Sequence, residues 1–192
     1  MNKNYLEMLI KAFPANLKED VLVVSKVISN ESYLKNSIAD NISGFIHFSL
    51  LNGEVIELPK RVYYKDCANI TDLNKTQQLI YYCIFTRCCD GFVRQKSVNQ
   101  ILNLGCEDWC LPYIIKLADS YVIEILYDLY SHFSSKDCKD LKKFCSINKE
   151  YMLKANSRMV SYWNEYYRNE NLDINNYVGK KLFVECFGID KK

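Results

Sequence analysis

The stretch Gly44-Phe-Ile-His-Phe-Ser-Leu-Leu-Asn-Gly-Glu-Val-Ile-Glu-Leu-Pro59 constrains the fold more than any other part of the chain. Phe45, Ile46 and Phe48 precede Asn52-Gly53, and Val55, Ile56 and Leu58 follow it. β-branched and aromatic residues on either side of Asn-Gly predict a hairpin over about 45–58. Asn-Gly suits a type I′ turn, which needs positive φ at both central residues. Pro59 ends the second strand or marks an edge. One hairpin is only marginally stable alone, so its apolar face must rest on other elements, and those elements read as helices.

Apolar residues at Tyr5, Leu6, Leu9, Ile10 and Phe13 have helical spacing, and Pro14 stops that helix. Asn16 is the expected cap of a second helix over Lys18–Ser29, although its valine-rich centre also suits a strand. After Thr71, Asp72 is the expected cap of a helix over Leu73–Arg87, with Leu79, Ile80, Tyr82, Cys83 and Phe85 inward. Asp90-Gly91 ends it, with Gly91 at the left-handed C′ position. A shorter helix, Val93–Leu104, runs to Gly105, with Val98, Ile101 and Leu102 inward.

Asp108 is then the expected cap of one long, apolar helix reaching about Phe133. Pro112 falls in its first turn, and Lys116, Ser120, Glu124 and Asp128 form its single polar stripe. Ser134-Ser135 breaks the pattern before a basic helix over Lys136–Ser146. Asn148 is the expected cap of a helix from Lys149 to about Arg168. Residues 169–176 form a polar link, and the apolar tail from Tyr177 to Gly188 docks back. The fold class that follows is mainly α (α+β). We read one domain over 1–192, with an N-terminal helical segment and the hairpin within 1–66 and a helical bundle over 67–192.

Hydrophobic residues are 49% and charged residues 25% of the chain, the balance of a globular protein and not of a disordered one. A net charge of +2 does not by itself call for nucleic acid or an anionic membrane. No apolar run reaches membrane-spanning length, and a charge falls inside the short apolar run at the N-terminus (Glu7), so a cytoplasmic protein without a membrane partner is expected. The nine cysteines are odd in number and none forms a Cys-x-x-Cys pair, which predicts reduced thiols filling a core. With only two histidines, neither metal nor cofactor is expected. Gly-rich phosphate loops, a Gly-x-Ser-x-Gly elbow and His-Glu-x-x-His are all absent.

Two places stand out. Arg87 and Arg94 flank Asp90-Gly91, where a helix ends and another begins. Such a pair is a candidate anion-binding site for a carboxylate or phosphate, unless Asp90 caps the second helix and the arginines pair locally. The segment Arg158-Met-Val-Ser-Tyr-Trp-Asn-Glu-Tyr-Tyr-Arg168 carries four aromatics that point in different directions around a helix. Arg158, Trp163, Tyr166, Tyr167 and Arg168 are the expected partner-binding residues, since exposed aromatics with arginine are enriched at protein interfaces. On a regular helix Arg158 and Arg168 would project to roughly the same side. The lysines at 136, 139, 142, 143, 149 and 154 offer a basic face, diluted by Asp137, Asp140 and Glu150. Cys88 and Cys89 sit at a helix C-terminus, which disfavours a nucleophilic thiolate.

Arg-x-x-Asp-Gly-x-Val-Arg (Arg87 to Arg94), Trp-x-x-Pro (Trp109, Pro112) and Ser-Tyr-Trp-x-x-Tyr-Tyr-Arg (Ser161 to Arg168) resemble patterns in small uncharacterised bacterial proteins. The resemblance spans about residues 45 to 188 and implies no activity. The expected function is a non-enzymatic, cytoplasmic protein-binding module, of which an immunity- or antitoxin-like role is one form. The alternatives are a nucleic-acid-binding protein and an enzyme acting on a small anionic substrate.

Overall fold

A computed structural model describes residues 3–28, 44–64 and 69–189. The expected helix end at Ser29 and the thiol of Cys67 lie outside the described residues. The protein is mainly α with one two-stranded antiparallel hairpin. It divides into two compact units, Met1–Tyr113 and Ile114–Lys192. No described helix is long and apolar enough to cross a membrane.

The first unit holds α1 (Lys3–Lys11), a 3-10 turn (Ala15–Leu17), α2 (Lys18–Val27), β1 (Phe45–Ser49), β2 (Val55–Pro59), α3 (Lys75–Phe85) and α4 (Gly91–Leu104). Pro14 stops α1 as expected, but Asn16 does not cap α2: the 3-10 turn intervenes and no side chain bonds that helix start. The valine-rich segment is helical, and burying Val21 and Val24 places it against α3. The cap of α3 is Asn74, two residues later than Asp72. Its side chain accepts from the Gln77 N–H at 2.9 Å while Gln77 reaches back to the Asn74 N–H at 3.2 Å. This reciprocal capping box satisfies two otherwise orphaned donors, which Asp72 could not do at its position.

The hairpin forms where expected, in a different register. Phe48 pairs with Ile56 and Ile46 with Leu58. The Leu50 N–H bonds the Glu54 carbonyl at 2.8 Å, and the Gly53 N–H bonds the Leu50 carbonyl at 3.0 Å. Gly53 takes a left-handed conformation, at φ +88°. The loop is thus a turn over Leu50–Gly53 with a glycine bulge, not a two-residue I′ turn centred on Asn52-Gly53. The two arrangements differ by one residue of register. The I′ register would set Phe48 opposite Glu57, whereas the observed one puts Phe48, Ile56 and Leu58 together in the core, each at most 1% exposed. A one-residue slip exchanges the faces of a strand, and burial of these three side chains outweighs the local preference of Asn-Gly.

The second unit holds most of α5 (Leu111–Leu117), then α6 (Ile123–Phe133), α7 (Lys139–Ile147), α8 (Lys149–Tyr162) and α9 (Val178–Lys181). The single helix expected from Asp108 to Phe133 is interrupted. Asp108–Cys110 is a 3-10 turn, and α5 and α6 are separated by Ala118–Val122. Asn148 does not cap α8. Its amide donates to the Phe144 carbonyl at 3.0 Å and closes the end of α7 instead. The helix expected to end near Arg168 continues from α8 as a π-turn, Trp163–Tyr167. The tail docks as expected: Tyr177, Val178, Leu182, Phe183 and Phe187 are buried, and α9 packs on α6 and α8.

Candidate functional site

The Arg87–Arg94 corner is built as a clamp. Asp90, not Gly91, punctuates it: the Asp90 carboxylate accepts from the Phe92 N–H at 2.8 Å and caps α4, whose first residue is Gly91. Gly91 therefore does not take the left-handed C′ position. Arg87 is 1% exposed and donates to the carbonyls of Pro59 (3.1 Å), Thr86 (3.3 Å) and Lys60. It ties the end of α3 to the end of β2, and the Val62 N–H adds a bond to the Arg87 carbonyl at 2.9 Å. Arg94, equally buried, donates to the carbonyls of Cys88 (3.1 Å) and Cys89 (2.9 Å). Guanidiniums are suited to gathering carbonyls left over at a helix end. Both side chains are sealed inside the first unit, so this geometry favours the clamp over an anion site.

The aromatic segment has a different character. In the break between α5 and α6, the Asp119 side chain is 1% exposed. One carboxylate oxygen accepts from Lys116 Nζ at 2.5 Å, and the other from Arg158 Nε at 2.6 Å and the Tyr151 hydroxyl at 3.3 Å. Arg158 Nη2 completes the ion pair, and the Arg158 guanidinium lies 5.4 Å from the Tyr151 ring centroid. Burial opposes the charge on Arg158, but the adjacent Asp119 outweighs it and holds the guanidinium protonated above its ordinary value. A carboxylate this deep requires such partners. Arg158 is thus tied to Asp119 while its side chain stays 40% exposed.

Two residues beyond Asp119, Tyr121 emerges from the break. Its carbonyl accepts a hydrogen bond from the Tyr167 hydroxyl, a second tie between the break and the helix carrying Arg158. The Tyr121 ring lies 6.1 Å from Tyr162 and 6.4 Å from Tyr166, and Tyr162 and Tyr166 stack at 6.2 Å. Tyr121 is 47% exposed and Tyr166 58%. The three rings form an outward-facing cluster on backbone pinned from behind.

The remaining predicted anchors divide between support and surface. Tyr167 stacks on buried Tyr177 at 5.7 Å and serves as a strut. Trp163 is half-buried and donates from its indole N–H to the Asn171 carbonyl at 2.9 Å, closing the turn after the helix. Arg168 is exposed, lies 5.8 Å over the Trp163 ring and donates to Asn164 Oδ1 at 3.0 Å. A π-turn bonds residues five apart, and Trp163 and Arg168 are so spaced.

Tyr121 and Tyr162 belong to this face although the sequence reading did not select them. For Tyr121 the signal was Asp119-Ser120, a short polar pair inside an otherwise apolar run, which marks the break that turns the residue outward. For Tyr162 it was the i, i+4 spacing to Tyr166.

The lysines at 136, 139, 142, 143, 149 and 154 are exposed, but Lys139 pairs with Asp137 at 2.8 Å and Lys154 with Glu150 at 2.6 Å. Burial raises the Cys88 thiol above its usual range, which works against a thiolate there. Among the described residues no three of His, Cys, Asp and Glu are placed to hold a metal ion. Compared with known protein families, curated proteins and solved structures, the chain matches none.

Proposed function

We propose that the protein is a protein-binding module whose contact face is the tyrosine cluster of the second unit. The observation that carries this reading is the exposure of Tyr121 and Tyr166 around half-buried Tyr162, on backbone held by Asp119–Arg158 and Tyr167–Tyr121. Tyrosines supply large contact area at low conformational cost, and rigid support lowers it further. Of the five anchors read from the sequence, Tyr166 and Arg168 offer surface, while Arg158, Trp163 and Tyr167 hold the face in shape.

The test is partner capture by the tagged protein, compared with Tyr121→Ala/Tyr166→Ala. The expected outcome is a stoichiometric protein partner that the double variant loses, with stability changed by no more than about 1 kcal/mol because neither ring is deeply buried. A larger stability loss, or capture that the variant retains, would overturn the reading.

A further inference from the structure

The tip of the hairpin carries the only Asn-Gly pair of the chain. Both residues are exposed, and a Cβ built at Gly53 would meet nothing within 4 Å. An asparagine followed by glycine is chemically vulnerable, because no Cβ shields the backbone nitrogen that can attack the side-chain amide. Packing does not protect this pair, but two hydrogen bonds do. The Gly53 N–H donates to the Leu50 carbonyl at 3.0 Å, and Asn52 Oδ1 accepts from the Glu54 N–H at 3.0 Å. The nitrogen and the side-chain carbonyl group that would have to meet are thus each held on another partner. The rest of the hairpin keeps this turn closed. The Leu50 N–H bonds the Glu54 carbonyl at 2.8 Å, the Ala15 N–H bonds Glu54 Oε1 at 2.7 Å, and Phe48, Ile56 and Leu58 are buried beneath.

We propose that Asn52 is a site of spontaneous deamidation and that the hairpin is its gate, so the amide is lost only from molecules whose turn has opened. In the open turn the Gly53 nitrogen gives up its proton to water and attacks Asn52 Cγ. The Cγ–Nδ2 bond breaks, ammonia leaves, and a five-membered succinimide remains. Water then adds to one of its two carbonyls and leaves aspartate or isoaspartate at position 52. The net change is one water consumed and one ammonia released, with no oxidant or cofactor. Isoaspartate routes the main chain through an extra carbon inside the turn. The Gly53–Leu50 and Leu50–Glu54 bonds then no longer fit together, and the register that buries Phe48, Ile56 and Leu58 is disturbed. Opening is thereby recorded in a covalent change that hinders reclosure.

The test follows loss of the Asn52 amide in the full chain at mildly alkaline pH, by peptide mass mapping with isoaspartate resolved chromatographically. The folded chain is compared with the same chain in guanidinium chloride, and with folded Ile56→Ala and Glu54→Ala, whose folding is checked by thermal melting. The folded chain is expected to deamidate at least about tenfold more slowly than the denatured one, since opening is a minority event. Ile56→Ala, which empties part of the hairpin core, should raise the folded-state rate about tenfold. Glu54→Ala, which removes only the tie to Ala15, should raise it about twofold. Protein aged to the isoaspartate form should melt at a lower temperature. Equal rates in folded and denatured chains would overturn the gate, as would a folded-state rate that Glu54→Ala and a folded Ile56→Ala both leave unchanged. An Asn52 amide that survives in the denatured chain would overturn the site itself.

Discussion

Arg158 reaches back 39 residues along the chain to bond Asp119 through Nε at 2.6 Å, and that contact fixes the break between α5 and α6 against α8. Removing either partner leaves a charge with poor solvation. Asp119→Ala and Arg158→Ala should each destabilise the protein by about 2 kcal/mol, less than a fully buried pair because Arg158 is half-buried. The double variant should cost less than the sum of the two, read by denaturant unfolding in a double-mutant cycle. Strict additivity would mean that the tie contributes nothing.

Tyr177 is 1% exposed, stacks on Tyr167, and its hydroxyl has no hydrogen-bond partner among the described residues. Burial raises its pKa well above the ordinary phenol value. A buried hydroxyl left unmatched is a cost that a ring hydrogen avoids. Tyr177→Phe should therefore hold or raise stability, by up to about 1 kcal/mol, measured as the urea midpoint at unchanged slope.

Gly179 sits in α9 where a Cβ would come within 2.6 Å of the Tyr177 ring and 3.0 Å of Met159 Cγ. Its backbone is ordinary helix, so the need for glycine here is one of space. Gly179→Ala should destabilise by about 1–3 kcal/mol through overpacking, despite the better helix propensity of alanine. A rise in melting temperature would show that α9 is not packed this closely.

The thiols should differ widely in reactivity. Burial raises Cys83, Cys110 and Cys145, the last to about 12, and pushes Cys186 to about 11. Cys89 is exposed. Brief alkylation with iodoacetamide at pH 7.5 should modify Cys89 and spare these four, as read by peptide mass mapping. Prompt labelling of Cys83 or Cys145 in folded protein would contradict the packing.

His132 receives a contact from Lys136 Nζ at 2.7 Å, and its pKa is lowered, first by burial and then by the lysine charge. The folded state therefore resists protonation more than the unfolded chain does. The His132 contribution to stability is intact above its unfolded value of about 6.5 and is lost as pH falls through the lower folded value. Stability should decline on acidification below about pH 6.5, and His132→Gln should flatten that decline in urea titrations at pH 7 and pH 5.

The sequence by itself determined the mainly helical class, the hairpin between Phe45 and Pro59, the stop at Pro14 and the docking of the tail. Each rests on local rules: helical or alternating spacing, a residue without an N–H, a run of apolar side chains. Tertiary structure decided the rest. The hairpin register followed burial of Phe48, Ile56 and Leu58 and not the preference of Asn-Gly. The cap of α3 moved to Asn74 because Gln77 can answer it. The polar pair Asp119-Ser120 broke a helix that periodicity read as continuous, since Asp119 found its cations in Lys116 of α5 and Arg158 of α8. Exposure was the least legible property. Tyr121, Tyr166, Tyr167 and Tyr177 are the same residue type in similar patterns, yet two face outward, one is a strut and one is buried. A tyrosine suits all of these environments because its ring tolerates burial and its hydroxyl tolerates water, so only the packing around each ring assigns its place.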